Sequence, residues 1–388
     1  MQKGAFLIFF SIVLTVHLLV NFYIFIRGWQ GLEAVKHYRI WYAVIFWLFG
    51  LSYVVGRVAG NTEETWFSKT LTIMGSYWFA MMLYFFLVVL IFDFARIANS
   101  VFHFFPEPGS VTYLKTKLLA TLSISGVVLL VVIAGAINAR IIRVTDLNLD
   151  IPKNGSKYKE LNAVVVSDIH LGTLIRESHL QKIVHKINRL EPDIVLIPGD
   201  LTDEKIKPVR NRNLGPVLQQ IRAKLGVYAI TGNHEYIGGA EDAVRYFSRY
   251  GIKFIRDTSM LIDSSFYLVG REDRESTRFG GVKRQELEDV LTGIDDNKPI
   301  IMLDHQPWHL SEVGKTVVDV QFSGHTHHAQ MWPLNYITTL MFGLSWGYQR
   351  IGNTHFYVTC GAGSWGPPVR TNSYPEIVHV KMHFTGDN

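Results

Sequence analysis

The sequence predicts an α/β fold behind four membrane-spanning helices, and three features predict it. Four long runs lack charged side chains, short apolar runs of strand length follow Arg143, and polar clusters close those short runs. The long runs are 5–26, 40–56, 70–92 and 118–139, each near the ~20 residues that cross a bilayer. A cleaved leader is the rival reading of the first run. That run is long, carries His17 and Asn21, lacks a small-residue cleavage site and is followed by three more spans, so it reads as a retained helix. Trp29, Trp41, Trp47, Tyr53, Trp66 and Trp78 crowd the span ends, where aromatic rings rest at headgroup level. Lys and Arg are evenly divided between the two flanks, which predicts a multi-pass protein of a plasma or inner membrane and leaves the side of its C-terminal part open.

Composition agrees. The 388 residues are 48% hydrophobic and 13% aromatic, rich for a wholly soluble chain. A formal charge of +5 suits anionic headgroups or phosphate groups. No basic and aromatic array stands out, so no nucleic-acid partner is expected. The single cysteine, Cys360, excludes an internal disulfide.

After Arg143 the elements follow in order. An opening strand leads through the polar stretch 151–160 to a buried strand at 161–167; an amphipathic helix spans 177–190, and apolar strands cover 193–199 and 226–232. A helix near 240–250, short strands within 252–270 and a helix near 284–292 come next. Strands at 298–305, 317–324, 353–363 and 375–384 complete the domain. The expected organisation is a membrane region 1–139, a linker with the opening strand at 140–160, and a catalytic domain 161–388.

Each strand end carries a polar cluster: SDIHLG (167–172), PGDLTD (198–203), TGNHE (231–235), LDHQP (303–307) and SGHTHHAQ (323–330). Open α/β sheets gather ligands at the carboxyl ends of their strands, where loops converge on one crevice. Asp, Asn and several His together mix hard oxygens with imidazole, which suits Mn, Fe or Zn and argues against a thiolate site. DxH or GNH alone says little. Five such clusters in this order say much more.

In this order the clusters resemble the calcineurin-like metallophosphoesterases, whose pattern is DxH, GDxxD, GNHE, a lone His after a strand, then GHxH. The resemblance covers about residues 143–384 and implies an αββα sandwich. It further implies that Asp168, His170 and His327 hold a first divalent metal, that Asn233, His305 and His325 hold a second, and that Asp200 bridges both. Mn2+ is the expected ion, with Fe or Zn as alternatives. His234 takes the role of general acid and Asp203 hydrogen-bonds to it, although Asp203 could equally cap the segment that follows. Such a centre hydrolyses a phosphomonoester, phosphodiester or pyrophosphate bond, two metals activating a bridging hydroxide and an imidazolium protonating the departing oxygen.

Departures from the family pattern bear on the substrate. Glu204 and Lys205 stand where phosphoprotein phosphatases carry Arg-Gly, which removes support for protein dephosphorylation. His328 gives GHTHHAQ where close relatives read GHTHGGQ; it reads as a substrate contact or as packing. Arg370, in the segment GAGSWGPPVR, reads as a partner for a substrate phosphate or as a structural ion-pair residue. The insert 331–349 has no charged side chain and reads as core or as an apolar wall beside the site. With the membrane region it points to a lipid-linked substrate, and related enzymes cleave the pyrophosphate of UDP-diacylglucosamine. The alternative is a membrane sensor or scaffold that binds a phosphorylated ligand without turnover.

Overall fold

The computed structural model describes residues 2–60 and 63–386 and divides into two compact units at Gly135 and Ala136. The first unit contains helices α1 (Gln2–Gly31), α2 (Arg39–Ala59), α3 (Trp66–Phe102) and α4 (Val111–Asn138), the last of which ends just inside the second unit. All four are long and apolar enough to cross a membrane. Exposed apolar side chains such as Leu19, Val58, Ile91 and Leu130 are what lipid-facing helices display.

Polar groups of the first run turn inward. Trp78 Nε1 donates to Asn21 Oδ1 at 2.8 Å, and a His17 ring nitrogen lies 2.8 Å from the Gly50 carbonyl, so each polar group finds a partner away from lipid. The helices overrun the predicted spans, α3 by the most. Thr65 and Ser68 form a reciprocal N-terminal cap, and beyond the apolar run Arg96 pairs with Asp93 at 2.9 Å one turn away, which carries the helix on to a left-handed stop at His103.

The second unit is built on two six-stranded sheets. In chain order the strands are β1 (Arg143–Ile151), β2 (Glu160–Val165), β3 (Ile194–Pro198), β4 (Gly226–Ile230), β5 (Ile252–Phe254), β6 (Thr258–Ile262), β7 (Phe266–Gly270), β8 (Ile300–Leu303), β9 (Val320–Ser323), β10 (Gly347–Ile351), β11 (Thr354–Val358) and β12 (Glu376–Phe384). One sheet runs β1-β12-β2-β3-β4-β5 and the other β10-β11-β9-β8-β7-β6. Strands β2 to β5 and β7, β8, β9, β11 pair in parallel, which is why the inner ones among them, such as β3, β4 and β8, read as apolar runs.

Alternation along each strand sorts its side chains between layers. Leu161, Ala163 and Val165 of β2 point into a core shared with Phe266, Leu303 and Phe322 of the other sheet. Val164 and Val166 face the opposite way, against Leu180, Ile183 and Ile187 of α5 (Glu177–Arg189) and Phe247 of α6 (Ala240–Ser248). The second sheet has its own outer core, where Ile300, Met302 and Phe356 meet Val290, Leu310 and Val313. Helices outside two stacked sheets make the αββα sandwich that the sequence predicts.

The insert is divided: Met331 is buried and Leu344 packs against the outer core of the second sheet, but the part between them is not core. Its middle forms α7 (Asn335–Phe342), none of whose residues is buried.

Candidate metal centre

Five loops at the carboxyl ends of β2, β3, β4, β8 and β9 meet in one place. Within them Asp168, His170, Asp200, His325 and His327 all have φ between +47° and +72°, the left-handed region that non-glycine residues rarely occupy. Each such residue costs of order 1–3 kcal/mol and persists where the surroundings over-determine it. Two glycines allow the close approach. A Cβ on Gly232 would collide with the Asp200 carboxylate, and one on Gly324 with that of Asp168.

Among the described residues three clusters could hold a metal ion, Asp168-His170-His327, Asp200-His305-His325 and, overlapping the first at the rim, His170-Asp203-His234; the residues expected as ligands fall in two adjoining groups. In the first, His170 Nε2 lies 2.9 Å from His327 Nε2, and His327 Nε2 lies 3.6 Å from Asp168 Oδ1. In the second, Asn233 Oδ1 stands 3.1 Å from His305 Nε2 and 2.9 Å from His325 Nδ1. One oxygen faces both groups: Asp200 Oδ2 is 3.1 Å from His305 Nε2 and 3.8 Å from His170 Nε2. Hence all seven residues expected as ligands come together, and Asp200 stands between them.

Burial sets the electrostatics. Asp168, His170, Asp200, His305 and His327 are at most 4% exposed. Burial, then neighbouring positive charge, pushes the His170 and His327 imidazoles well below their ordinary range and His325 down to about 3, so these rings keep the lone pairs a metal needs. Burial lifts Asp168 to about 6. His305 goes the other way: burial opposes its charge, but the carboxylates of Asp200, Asp168 and Asp273 together outweigh burial and push its pKa well above the ordinary range.

The donor set fits a metal on a direct observation. Asp168 Oδ2 is buried and has no hydrogen-bond partner among the described residues, a costly state for a polar atom that ligation of the carboxylate would offset.

His234 lies at the rim, 7% exposed, with its ring 4.6 Å from His170 and 5.9 Å from the exposed Trp365. Burial opposes its charge, but the carboxylates of Asp200 and Asp203 outweigh it and raise its pKa. Its Nδ1 bonds the main-chain carbonyl of Asp203, while the Asp203 carboxylate stands 3.9 Å away. The contact expected from the carboxylate is thus made by the backbone.

Two residues take the structural side of the alternatives stated for them. Arg370 is fully buried, with Nη2 within 3.2 Å of the carbonyls of Cys360, Gly361 and Gly363 and 3.1 Å from His327 Nδ1. It therefore braces the loop behind His327 and is not available to a substrate phosphate. His328 is half-buried against Ser345, 2.7 Å from its Nδ1, and against the Trp346 ring, which is the packing alternative.

Sequence reading missed Glu235. Its carboxylate, 1% exposed, accepts the main-chain N–H groups of Asp200 at 3.0 Å, Thr202 at 2.8 Å and Gly232 at 2.8 Å, tying the loop after β3 to the loop after β4. An acid three residues after Gly232, in capping-box spacing, is the signal that could have found it.

Comparison with known proteins agrees with this geometry. A family model described as calcineurin-like phosphoesterase matches residues 161–329. A transmembrane protein with metallophosphoesterase domain from Danio rerio is 33% identical over 62% of this chain and 57% of its own length, so the chain spans little more than half of that relative. An uncharacterized metallophosphoesterase of Aquifex aeolicus is 32% identical over 61% of this chain and 89% of its own. One of Campylobacter jejuni is 27% identical over 97% of this chain and 98% of its own, membrane helices included. With the five strand-end clusters gathered at one site and four apolar helices ahead of them, the chain is a multi-pass membrane protein that belongs to the calcineurin-like phosphoesterase family.

Proposed function

We propose that the chain is a membrane-integral hydrolase of a phosphate ester or pyrophosphate that works with two divalent cations, Mn2+ foremost, on a lipid-linked substrate. The observation that carries the reading is the paired centre: Asp200 Oδ2 stands between two ligand groups, 3.1 Å from His305 Nε2 and 3.8 Å from His170 Nε2, and the first group contains an orphaned carboxylate oxygen at Asp168. Asp168, His170 and His327 would hold one cation, Asn233, His305 and His325 the other, with Asp200 common to both. When bound, such a pair polarises phosphoryl oxygens and lowers the pKa of water.

The remaining work belongs to the chain. His234 bonds Asp203 through Nδ1, which leaves Nε2 as the nitrogen able to give a proton to the departing oxygen. Burial opposes the charge on this ring, but Asp200 and Asp203 raise its pKa and so favour the protonated form. Glu235 fixes the loops that carry Asp200 and Asn233. A domain that only bound a phosphorylated ligand would have no use for such an acid.

Support for a lipid-linked substrate comes from the surface beside the centre. Phe342 of α7 packs its ring 5.7 Å from that of His325. The same helix exposes Tyr336, Ile337, Leu340 and Met341, with Trp332 exposed before it. Such an apolar patch marks contact with lipid or a partner.

Two assays test the reading. Full-length protein with Mn2+ should hydrolyse an aryl phosphodiester, lose activity to a chelator and regain it with metal; no hydrolysis across several divalent ions would favour the sensor. Incubation with native membranes, read by mass spectrometry, should show a phospholipid-type species lost. Loss of water-soluble phosphoesters alone would refute the lipid link.

A further inference from the structure

The helical unit encloses a cavity of about 420 Å3, within the ~300–1,000 Å3 typical of small-molecule sites. Its lining falls between Ile24 and Ser125, so it owes nothing to the metal centre. The shape is long. On α3 the wall runs from Trp78 to Arg96, about 27 Å at ~1.5 Å per residue, whereas a sphere of that volume would be about 9 Å across.

The two ends differ in chemistry. Phe46, Phe49, Trp78, Met81 and Phe85 wall one end; Arg27, Asp93, Arg96 and Lys117 line the other. There one carboxylate serves two guanidinium groups, Asp93 lying 2.6 Å from Arg27 and 2.9 Å from Arg96. Lys117 reaches Glu33 at 2.9 Å, a residue outside the lining. Three cations against one carboxylate leave the lining with a net charge of +2. Arg27 Nε, moreover, is buried with no hydrogen-bond partner among the described residues. Interfacial anchors extend their charged heads into water, but the Arg27 side chain is only 29% exposed and faces the cavity. A charged side chain at a span end that turns into the helical bundle and not out to water is a candidate site.

We propose that this cavity binds an anionic single-chain amphiphile, its acyl chain along α3 and its phosphate or carboxylate head against Arg27, Arg96 and Lys117. The long apolar wall matches a hydrocarbon chain, which needs no partners. The excess positive charge and the free Nε–H match an anionic head, which forms charge-assisted hydrogen bonds in a rim of low dielectric.

The test uses the full-length protein in neutral phosphatidylcholine nanodiscs, with EDTA present to exclude turnover. Binding of oleoyl lysophosphatidate, oleate and neutral monoolein is measured by native mass spectrometry. One equivalent of either anionic probe should bind saturably, and the tighter of the two identifies the head as phosphate or carboxylate. Arg96→Gln with Lys117→Gln should weaken that binding by about tenfold or more, as expected for lost charge-assisted contacts. Ala120→Phe, which fills the cavity, should abolish it, and Lys36→Gln, outside the lining, should leave it unchanged. Should the double variant lose helicity, Lys117→Gln alone carries the same expectation with a smaller drop. Equal affinity for monoolein, binding unaltered by both the charge and the filling variants, or no binding at all would overturn the proposal. None of these outcomes depends on hydrolysis, so failure here leaves the reading of the metal centre untouched.

Discussion

Replacing Glu235 by glutamine removes one acceptor, and the part of a charge left by a pKa that burial pushes up to about 7, from a carboxyl group that holds three main-chain N–H groups. Oε2 serves Asp200 and Gly232 while Oε1 serves Thr202, so the better amide orientation turns its NH2 toward Thr202 and orphans one donor. The worse orientation orphans two. A buried donor left unsatisfied costs about 1–3 kcal/mol, and the loss of charge weakens the bonds that remain, so about 3 kcal/mol is the working figure. For a domain of this size that corresponds to a melting temperature lower by roughly 6–12 °C. The loops released are those bearing Asp200 and Asn233, so metal content should fall with stability. Thermal melting of the full-length protein, followed by tryptophan fluorescence and paired with elemental analysis, measures both. A variant that melts within about 1 °C of wild type and keeps its metal would refute the claim that Glu235 clasps the two loops.

Further expectations follow from the same geometry. His234→Asn should keep metal but slow substrates with poor leaving groups by ~10² to 10⁴, while activated aryl esters lose far less; equal losses would point to damage of the fold. Because the folded state raises the His234 pKa, its proton persists above the ordinary ~6.5. Rates on poor leaving groups should therefore hold through that pH and decline only as the pH rises past the shifted value, a limb absent from His234→Asn. Arg370→Lys keeps a charge but lacks the planar fork that reaches several carbonyls behind His327. Metal affinity should drop by about 10- to 100-fold, as for other residues that orient ligands, with the KM of a small aryl ester unchanged at saturating metal; a raised KM would instead put Arg370 in contact with substrate. Asn233→Ala should weaken the second site and spare the first, which titration with a chelator resolves as one retained ion per chain.

The parts legible in the sequence are those written locally. Parallel strands buried on both faces appear as apolar runs and polar clusters stand at their ends, so the residues that meet at the candidate centre, Asp168, His170, Asp200, Asn233, His305, His325 and His327, could each be named once the order of those clusters resembled a known family. Partners distant in sequence could not. Glu235 reaches back over thirty residues to Asp200 and Thr202, and nothing near Arg370 tells that the carbonyls of 360–363 enclose it. α7 eluded the reading because a helix apolar on its exposed side has the composition of a buried one. The polar His17 and Asn21, odd within an apolar run, make sense only once Trp78 and Gly50 are placed beside them.

The central claim is that two ions share Asp200, and metal stoichiometry tests it most directly. Full-length protein loaded with Mn2+ and freed of excess metal should carry two ions per chain and hydrolyse an aryl phosphodiester, whereas Asp200→Asn, which keeps the side chain's shape, should lose occupancy at both sites together with activity. Full loading and activity in Asp200→Asn, or a wild-type protein that holds a single ion when fully active, would contradict it.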